Sequence, residues 1–299
     1  MGQGKVDELN SWKRFTEALN KILKKLRKSW KKPADLMGKI VYKFLILGTF
    51  LFLFVPILFA LSMAFDTRKI MAFFPPKGFT LDWFRVFLDY TPFIEGLKNS
   101  LLIASIVTVV SLFIGVLCSL ALVRSDFRGK GFLNTLILSP IVVPGVITGA
   151  ALLTMLYGNL RQFNALPNII IGHTILAMPY VVRTVSASLV GFNRTLEEAA
   201  QSLGANEITT FFKVTLPIIK PGIVAGAVFA FSISGGDVNL AAFLTDAYTT
   251  TFPVALMGYM RYYSNPAVAA ASAFLMGITA ILMIVIEKTI GFEKFVGLW

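Results

Sequence analysis

The sequence predicts an all-α polytopic membrane protein with six transmembrane helices. Of its 299 residues, 56% are hydrophobic and only 15% are charged, which is too little polar surface to cover a water-soluble protein of this length. A hydrocarbon core about 30 Å thick needs about 20 predominantly apolar residues of helix to cross it. Six stretches meet that requirement, namely residues 44–65, 100–123, 132–157, 169–190, 223–244 and 266–286.

The lysines and arginines of the chain are concentrated near its amino terminus. Twelve of the 28 precede residue 44, where there are only four acidic residues. A net charge of +12 would favour nucleic-acid binding in a soluble protein, but this distribution is typical of a cytoplasmic flank that contacts anionic lipid. The connection between the second and third stretches is also basic, with Arg124, Arg128 and Lys130. Because the number of crossings is even, both termini are expected in the cytoplasm, and no nucleic-acid partner is expected.

Residues 9–30 form a distinct amino-terminal feature. Apolar side chains from Leu9 to Trp30 recur at helical spacing, and lysines fill many of the positions between them. This pattern predicts a basic amphipathic helix in the plane of the inner leaflet; a solvated helix or a frayed tail is the alternative. The basic lead and the first apolar run are both too long for a cleaved signal peptide. We therefore expect a basic segment over 1–40 and a transmembrane domain over 41–299.

The connection between the fourth and fifth stretches, about residues 191–222, predicts two short helices separated by a glycine bend. Thr195 and Glu198 have the spacing of a capping box, so the first helix should begin at residue 196. Gly204 occupies the position where a left-handed carboxy-terminal cap is needed. Asn206 can cap the second helix, which should run to about residue 214. A structured connection of this length is usually functional.

The same loop contains a set of residues at fixed spacing. Its members are Glu198, Ala199, Ala200, Gly204, Val214, Leu216 and Pro217, the last of which should also stop the second helix. The set resembles the EAA loop of ABC-importer permeases, Glu-Ala-Ala-x3-Gly-x9-Ile-x-Leu-Pro, with valine in place of the isoleucine. The resemblance implies the fold of type I ABC-importer permeases. It also implies that this loop is a coupling helix, which inserts into a cleft on the ATP-binding subunit.

The resemblance covers about residues 44–295 and implies a set of partners. In this family a permease of the bacterial inner (plasma) membrane works with ATP-binding cassette subunits, a second permease subunit, identical or different, and an extracytoplasmic solute-binding protein. No cofactor and no metal are implied. Two segments resemble the polyamine (spermidine/putrescine)/opine-type subgroup, which usually has a Phe-Asp pair where this chain has Gly-Asp: Gly236-Asp237-Val238-Asn239-Leu240 and Thr251-Phe252-Pro253-Val254. The implied solute is a polyamine or another small molecule that bears an amine.

The fifth stretch carries a row of small residues that leads to a carboxylate. Small residues recur at i, i+4 spacing from Gly222 to Ser234, which allows another helix to approach closely, either within this subunit or in a second permease subunit. Asp237 lies one turn further on. A carboxylate in the bilayer costs about 2.5–3.5 kcal/mol on insertion scales, so it should face the protein interior or a wet cavity. Asp237 and Asn239 are therefore candidates for the translocation path of a cationic solute; the alternative is that Asp237 caps the outer end of the helix by bonding Asn239 or the backbone.

Three further residues in the predicted spans are chemically unusual. His173 lies near the outer end of the fourth stretch and is expected to be a hydrogen-bonded interfacial residue rather than a ligand or a proton relay. Pro140 and Pro144 should kink or break the third stretch, either to allow packing or to line a cavity. A single histidine and a single cysteine, Cys118, cannot build a metal cluster or a disulfide framework.

The sequence contains no recognisable catalytic motif. It lacks the phosphate-binding Gly-x4-Gly-Lys-Ser/Thr loop, the His-Glu-x-x-His helix and the Gly-x-Ser-x-Gly elbow. We therefore predict a non-catalytic permease subunit whose ATPase is a separate polypeptide. The alternative function is a secondary transporter or channel that acts without an ATPase partner, but such a protein would usually carry several ionisable groups in its spans. A membrane-anchored enzyme is disfavoured by the missing motifs.

Overall fold

Helices make up the regular structure of the part of the chain that the structure describes. The computed structural model describes residues 20–21, 38–71, 75–160 and 164–290, and within those ranges it contains helices and no strands. The all-α class is therefore confirmed, whereas the amphipathic segment predicted over 9–30 and most of 1–40 lie outside the described residues. The helices are α1 Gly38–Met63, α2 Asp82–Asp89, α3 Thr91–Arg124, α4 Lys130–Val142, α5 Gly145–Leu153, α6 Ala165–Val190, α7 Thr195–Ser202, α8 Glu207–Thr210, α9 Leu216–Gly236, α10 Ala241–Leu244, α11 Phe252–Met260 and α12 Ala267–Ile290.

Several of these helices are long and apolar enough to cross a membrane. Four helical runs within the described ranges qualify by length and composition, namely Gly38–Met63, Thr91–Arg124, Ala165–Val190 and Glu207–Gly236, the last of which joins α8 to α9. A fifth span results if α4 and α5, which are bent by 103° relative to each other, are counted together. Helix α12 contributes a shorter apolar stretch, Ala267–Ile281. The predicted total of six spans stays a prediction.

The break between α4 and α5 follows from two prolines, as predicted. Pro140 lies inside α4 and removes one backbone donor from it. Pro144 disfavours helical backbone at the residue before it, and Val143 is accordingly extended, with ψ of 125°. A new helix then begins at Gly145. The predicted third stretch is thus a broken helix with a sharp change of direction.

The chain divides into two units within α1, Met1–Phe59 and Ala60–Trp299. In the second unit, α3, α6 and α9 pack against one another and form the main core. Lipid is as apolar as these side chains, so the bundle is stabilised by close van der Waals packing rather than by exclusion from water. An aromatic cluster joins α2, the start of α3, α11 and α12, and its fully buried members include Phe87, Phe93 and Phe252.

Glycines determine how closely α9 approaches α6. A Cβ added at Gly226 would lie 2.9 Å from Thr184 Oγ1 and 3.2 Å from Val181 Cα, both on α6. Gly222 likewise faces Ser188 of α6, and Ser234 at the end of the row is buried. The row of small residues on α9 therefore packs inside this subunit, which decides between the two alternatives that the sequence left open.

The fifth predicted stretch ends earlier than residue 244. Helix α9 stops at Gly236, and Asp237 leaves it in an extended conformation with ψ of 130°. The Asp237 carboxylate accepts hydrogen bonds from the amides of Leu240 and Ala241. A side chain that bonds to nearby backbone amides competes with continuation of the helix, so a separate short helix, α10, begins at Ala241.

Candidate functional site

The loop over residues 191–222 contains the two short helices that the sequence predicts, joined by a left-handed glycine. Gly204 has φ of +92°. Its amide donates to Gln201 O at 2.9 Å, and the amide of Ala205 donates to Ala200 O at 3.1 Å. These are the two hydrogen bonds of a Schellman cap, which satisfies the last carbonyls of a helix. The predicted role of Gly204 at the end of α7 is confirmed.

The start of α7 differs from the prediction. The helix begins at Thr195, and no capping bond joins Thr195 to Glu198. Instead, Asn193 Oδ1 accepts hydrogen bonds from Thr195 N at 3.1 Å and from Thr195 Oγ1 at 2.9 Å. The predicted capping box is therefore wrong: the Thr195 amide donates to Asn193 in a local turn, and the Glu198 amide donates to Arg194 O at 3.2 Å. The second predicted cap is confirmed, since Asn206 Oδ1 accepts from Thr209 N at 2.8 Å.

The second short helix continues into the membrane span. A π-helical turn over Phe211–Thr215 connects α8 to α9, and the whole run extends from Glu207 to Gly236. The expectation that Pro217 stops this helix is therefore wrong. Pro217 occupies the first turn of α9, after the wider π-helical turn, and in a first turn the missing amide of proline is tolerated.

The residues of the spaced motif are mostly exposed. Glu198, Ala199, Gly204 and Pro217 are exposed, and Ala200 and Leu216 are half-buried. Three large apolar side chains of the same loop are also open to solvent, Leu203 at 90%, Ile208 at 70% and Phe212 at 60%. We call Glu198, Leu203, Ile208 and Phe212 the loop surface. Large exposed apolar side chains on a connecting loop make it a candidate site for protein binding or membrane contact.

Glu197, which the sequence analysis did not single out, is the buried acid of this loop. It is 8% exposed. Its Oε1 accepts hydrogen bonds from Arg124 Nη2 at the end of α3 and from Thr215 Oγ1 before α9. The sequence did not indicate this role, because the motif is completed by Glu198, from which Glu197 is rotated by about 100° around the helix. The partner of Glu197 is also 73 positions away in the chain.

Asp237 lies at the junction of three helices. Its Oδ2 accepts from Leu240 N at 3.0 Å and from Ala241 N at 2.9 Å, and lies 3.5 Å from His173 Nε2. The other ring nitrogen of His173 is 2.9 Å from Ser234 Oγ. His173, on α6, is fully buried and is hydrogen-bonded, as predicted. The bonds of Asp237 are those of the helix-end alternative, and its side chain retains 12% exposure.

The segment from Asp237 to Leu240 faces the bend between α4 and α5. A Cβ added at Gly145, the first residue of α5, would lie 3.3 Å from Asn239 Cβ and 3.9 Å from Asp237 Oδ1. Asn239 is exposed. The two candidate path residues of the sequence analysis thus lie beside the break between α4 and α5. In a membrane, a break of this kind is tolerated where it is buried in protein or lines a cavity.

A third acidic residue, Asp66, organises the connection between α1 and α2. Asp66 is buried and accepts from Arg68 Nε at 2.6 Å, from Arg68 N at 3.1 Å and from Lys77 N at 3.3 Å. The hydrogen bond from the Arg68 guanidinium, helped by these backbone amides, holds the pKa of the Asp66 carboxyl below its usual value. The backbone oxygen of Asp66 also accepts from Trp83 Nε1 at 2.7 Å, which ties the connection to α2.

Comparison with known proteins identifies the family. Residues 111–288 match the family described as "Binding-protein-dependent transport system inner membrane component". Putrescine transport system permease protein PotI of Escherichia coli (strain K12) is 31% identical over 245 residues, which cover 80% of this chain and 86% of that protein. Spermidine/putrescine transport system permease protein PotC of the same strain is 26% identical, with coverage of 88% and 98%. Molybdate/tungstate transport system permease protein WtpB of Pyrococcus abyssi is 32% identical, with coverage of 67% and 80%.

Solved structures agree with this assignment at the level of the fold. A crystal structure of a bacterial ABC transporter involved in the import of the acidic polysaccharide alginate matches with a TM-score of 0.65, over 85% of this chain and 97% of that chain, at 19% identity. The family match spans more than half of the chain and contains the whole loop 191–222. This chain therefore belongs to the family of binding-protein-dependent transport system inner membrane components and is a multi-pass permease of the inner membrane.

Proposed function

We propose that this chain is the permease subunit of an ATP-driven importer and forms the path for a small solute that a binding protein delivers. The observation that supports this most strongly is the loop 191–222. Its two helices are held by the Schellman cap at Gly204, and the loop surface displays three large apolar side chains to solvent. An ATP-binding cassette subunit would bind this surface, so ATP hydrolysis takes place on a separate polypeptide.

The proposal places the loop and both termini in the cytoplasm. Arg124, at the end of α3, contacts Glu197 in the loop, so the connection after α3 and the loop lie on the same side of the membrane. That connection carries Arg128 and Lys130 as well, and short loops rich in lysine and arginine stay on the cytoplasmic side. The segment 1–40 would bind anionic lipid of the inner leaflet, and 41–299 would form the permease domain beside a second permease subunit.

We propose a polyamine or another amine-bearing solute as the cargo. PotI and PotC are named for putrescine and spermidine, whereas WtpB is named for molybdate and tungstate, so the names of relatives do not decide the sign of the charge. Asp237 supports a cation, because it is a partly exposed carboxylate beside Asn239 and the broken span. A cation that leaves water needs a compensating charge.

Purification in mild detergent tests the first part of this proposal. The intact chain, produced together with its neighbouring genes and purified by a tag, should carry along an ATP-binding cassette subunit. In proteoliposomes with the binding protein, uptake of labelled putrescine should then require ATP. Uptake that proceeds without any ATPase subunit would instead support a secondary transporter or channel. ATP-dependent uptake of molybdate but not putrescine would retain the importer and reject the amine-bearing solute.

A further inference from the structure

Arg124, Glu197 and Thr215 form a buried polar cluster at the base of the loop 191–222. Glu197 Oε1 accepts from both partners, and Arg124 Nη2 also lies 3.4 Å from Thr215 Oγ1. Thr215 is fully buried, and the Arg124 side chain is 27% exposed. We call these three residues the base cluster. Removing one member would leave a buried charge or a buried hydroxyl without its partner, which is far more costly than losing an exposed ion pair.

The base cluster joins three different elements of the chain. Arg124 is the last residue of α3, Glu197 belongs to α7, and Thr215 directly precedes α9. The loop surface lies on the same short helices but faces solvent. A displacement of α7 would therefore act on α3 and α9 through the side chain of Glu197, in addition to acting through the chain itself.

Two of the helices joined by the base cluster, α3 and α9, extend toward the other side of the membrane. Helix α3 has 34 residues and is about 50 Å long. Near its outer end, Asn99 Nδ2 donates to Thr250 O at 3.0 Å and Ser100 Oγ accepts from Phe252 N at 2.9 Å. Helix α9 ends at Gly236, directly before Asp237 of the candidate translocation path. The base cluster thus connects the loop to the helices that hold the outer segments.

We propose that Arg124 and Glu197 are positioning residues that transmit movement of the loop to α3 and α9, while the loop surface only binds the ATPase. This inference rests on the proposed function, because it needs an ATP-binding subunit that moves the loop. It separates two roles within one short segment: exposed residues hold the partner, and the buried acid conveys the displacement. It therefore predicts variants that bind and hydrolyse ATP but import little.

The test uses the whole transporter, with its ATPase and binding protein, in proteoliposomes. Glu197→Gln keeps the size of the side chain and removes its charge, and Thr215→Val removes one hydroxyl at nearly constant volume. Asp126→Asn is the matched control. Asp126 lies two residues beyond Arg124 and forms an ion pair with Lys130, but its side chain is 99% exposed. Three quantities are measured: recovery of the ATPase subunit, ATP hydrolysis, and solute imported per ATP hydrolysed.

Glu197→Gln should retain the ATPase subunit and its hydrolysis but lower import per ATP at least about fivefold, the lower end of typical coupling between distant sites. Thr215→Val should lower it less, and Asp126→Asn should leave it unchanged. Arg124→Met is measured alone and together with Glu197→Gln. Import per ATP in the double variant should be no lower than in the poorer of the two single variants, because the two residues act as one unit. Unchanged import per ATP in Glu197→Gln and Thr215→Val overturns the inference, and so does loss of the ATPase subunit from Glu197→Gln. A wild-type chain that recovers no ATPase would reject the proposed function itself.

Discussion

Replacing Gly204 with valine should disable the loop through backbone strain alone. Gly204 has φ of +92°, and a Cβ at this position would meet no atom within 4 Å outside the adjacent residues, so the cost of a substitution comes from the backbone conformation. Left-handed backbone costs an L-residue about 1–2 kcal/mol, and β-branched residues are worse still. The two hydrogen bonds of the cap depend on this conformation and contribute about 1 kcal/mol each.

The expected loss of transport follows from these magnitudes. A strain of about 2 kcal/mol shifts the equilibrium between the native bend and altered bends about thirtyfold. ATP-driven uptake by Gly204→Val should therefore fall at least about tenfold, measured in membrane vesicles and divided by the amount of permease on an immunoblot. Gly204→Asn should retain most of the activity, since asparagine tolerates left-handed backbone.

The chain offers a matched control for this experiment. Gly129, between α3 and α4, has φ of +91° and also has no atom within 4 Å of an added Cβ. Gly129→Val imposes the same strain outside the loop 191–222, so uptake per permease should fall much less than in Gly204→Val. Normal uptake by Gly204→Val would refute the argument from the bend. Equal losses in both variants would show that the strain damages folding in general rather than the loop.

Three further predictions concern other parts of the chain. Asp237→Asn should slow import of a cationic solute across a range of concentrations while the complex assembles normally, because it removes charge and keeps shape; unchanged kinetics would mean that Asp237 only caps a helix end. Deleting residues 1–32 should lower the amount of assembled transporter more than the uptake per assembled transporter, and loss of specific uptake would contradict a purely lipid-binding role. Because the pKa of Asp66 is lowered in the folded chain, its contribution to stability is complete above the unfolded pKa of about 3.9 and is lost as the pH falls through the folded value. Protease cleavage of the wild-type chain between α1 and α2 should therefore be faster in strong acid than at pH 7. Asp66→Asn should be cleaved faster than the wild-type chain already at pH 7, and equal rates for the two chains at pH 7 would refute this.

The features that the sequence predicted correctly depend on local chemistry. Gly204 and Asn206 act within a few residues of themselves, so their roles as caps could be inferred from neighbouring positions. The break at Pro140 and Pro144 is likewise a property of proline and of the residue before it. These effects need no knowledge of the tertiary structure.

The features that the sequence did not predict depend on competition or on distance. The predicted capping box of Thr195 and Glu198 does not form, because the Thr195 amide donates to Asn193 and the Glu198 amide donates to Arg194 O. Pro217 did not stop its helix, because the π-helical turn before it changes the hydrogen-bond pattern. The Glu197–Arg124 contact joins residues 73 positions apart, and the His173–Ser234 contact joins residues 61 apart. Such pairs follow from how α3, α6 and α9 pack, which hydrophobic periodicity alone does not determine.

The helix runs without a break from Glu207 to Gly236. The number of residues before α9 therefore determines which face of α9 points toward α6. Each residue added to or removed from a helix rotates everything beyond it by about 100°. One insertion between Glu207 and Pro217 would turn Gly222 and Gly226 away from α6 and bring bulkier side chains to positions where even an added Cβ would be too close to α6. The π-helical turn over Phe211–Thr215 is wider than an α-helical turn, so it sets the rotation of α9 about its axis relative to α8. The number of residues in α8 and the π-helical turn therefore determines how α8 is oriented relative to the face of α9 that packs against α6.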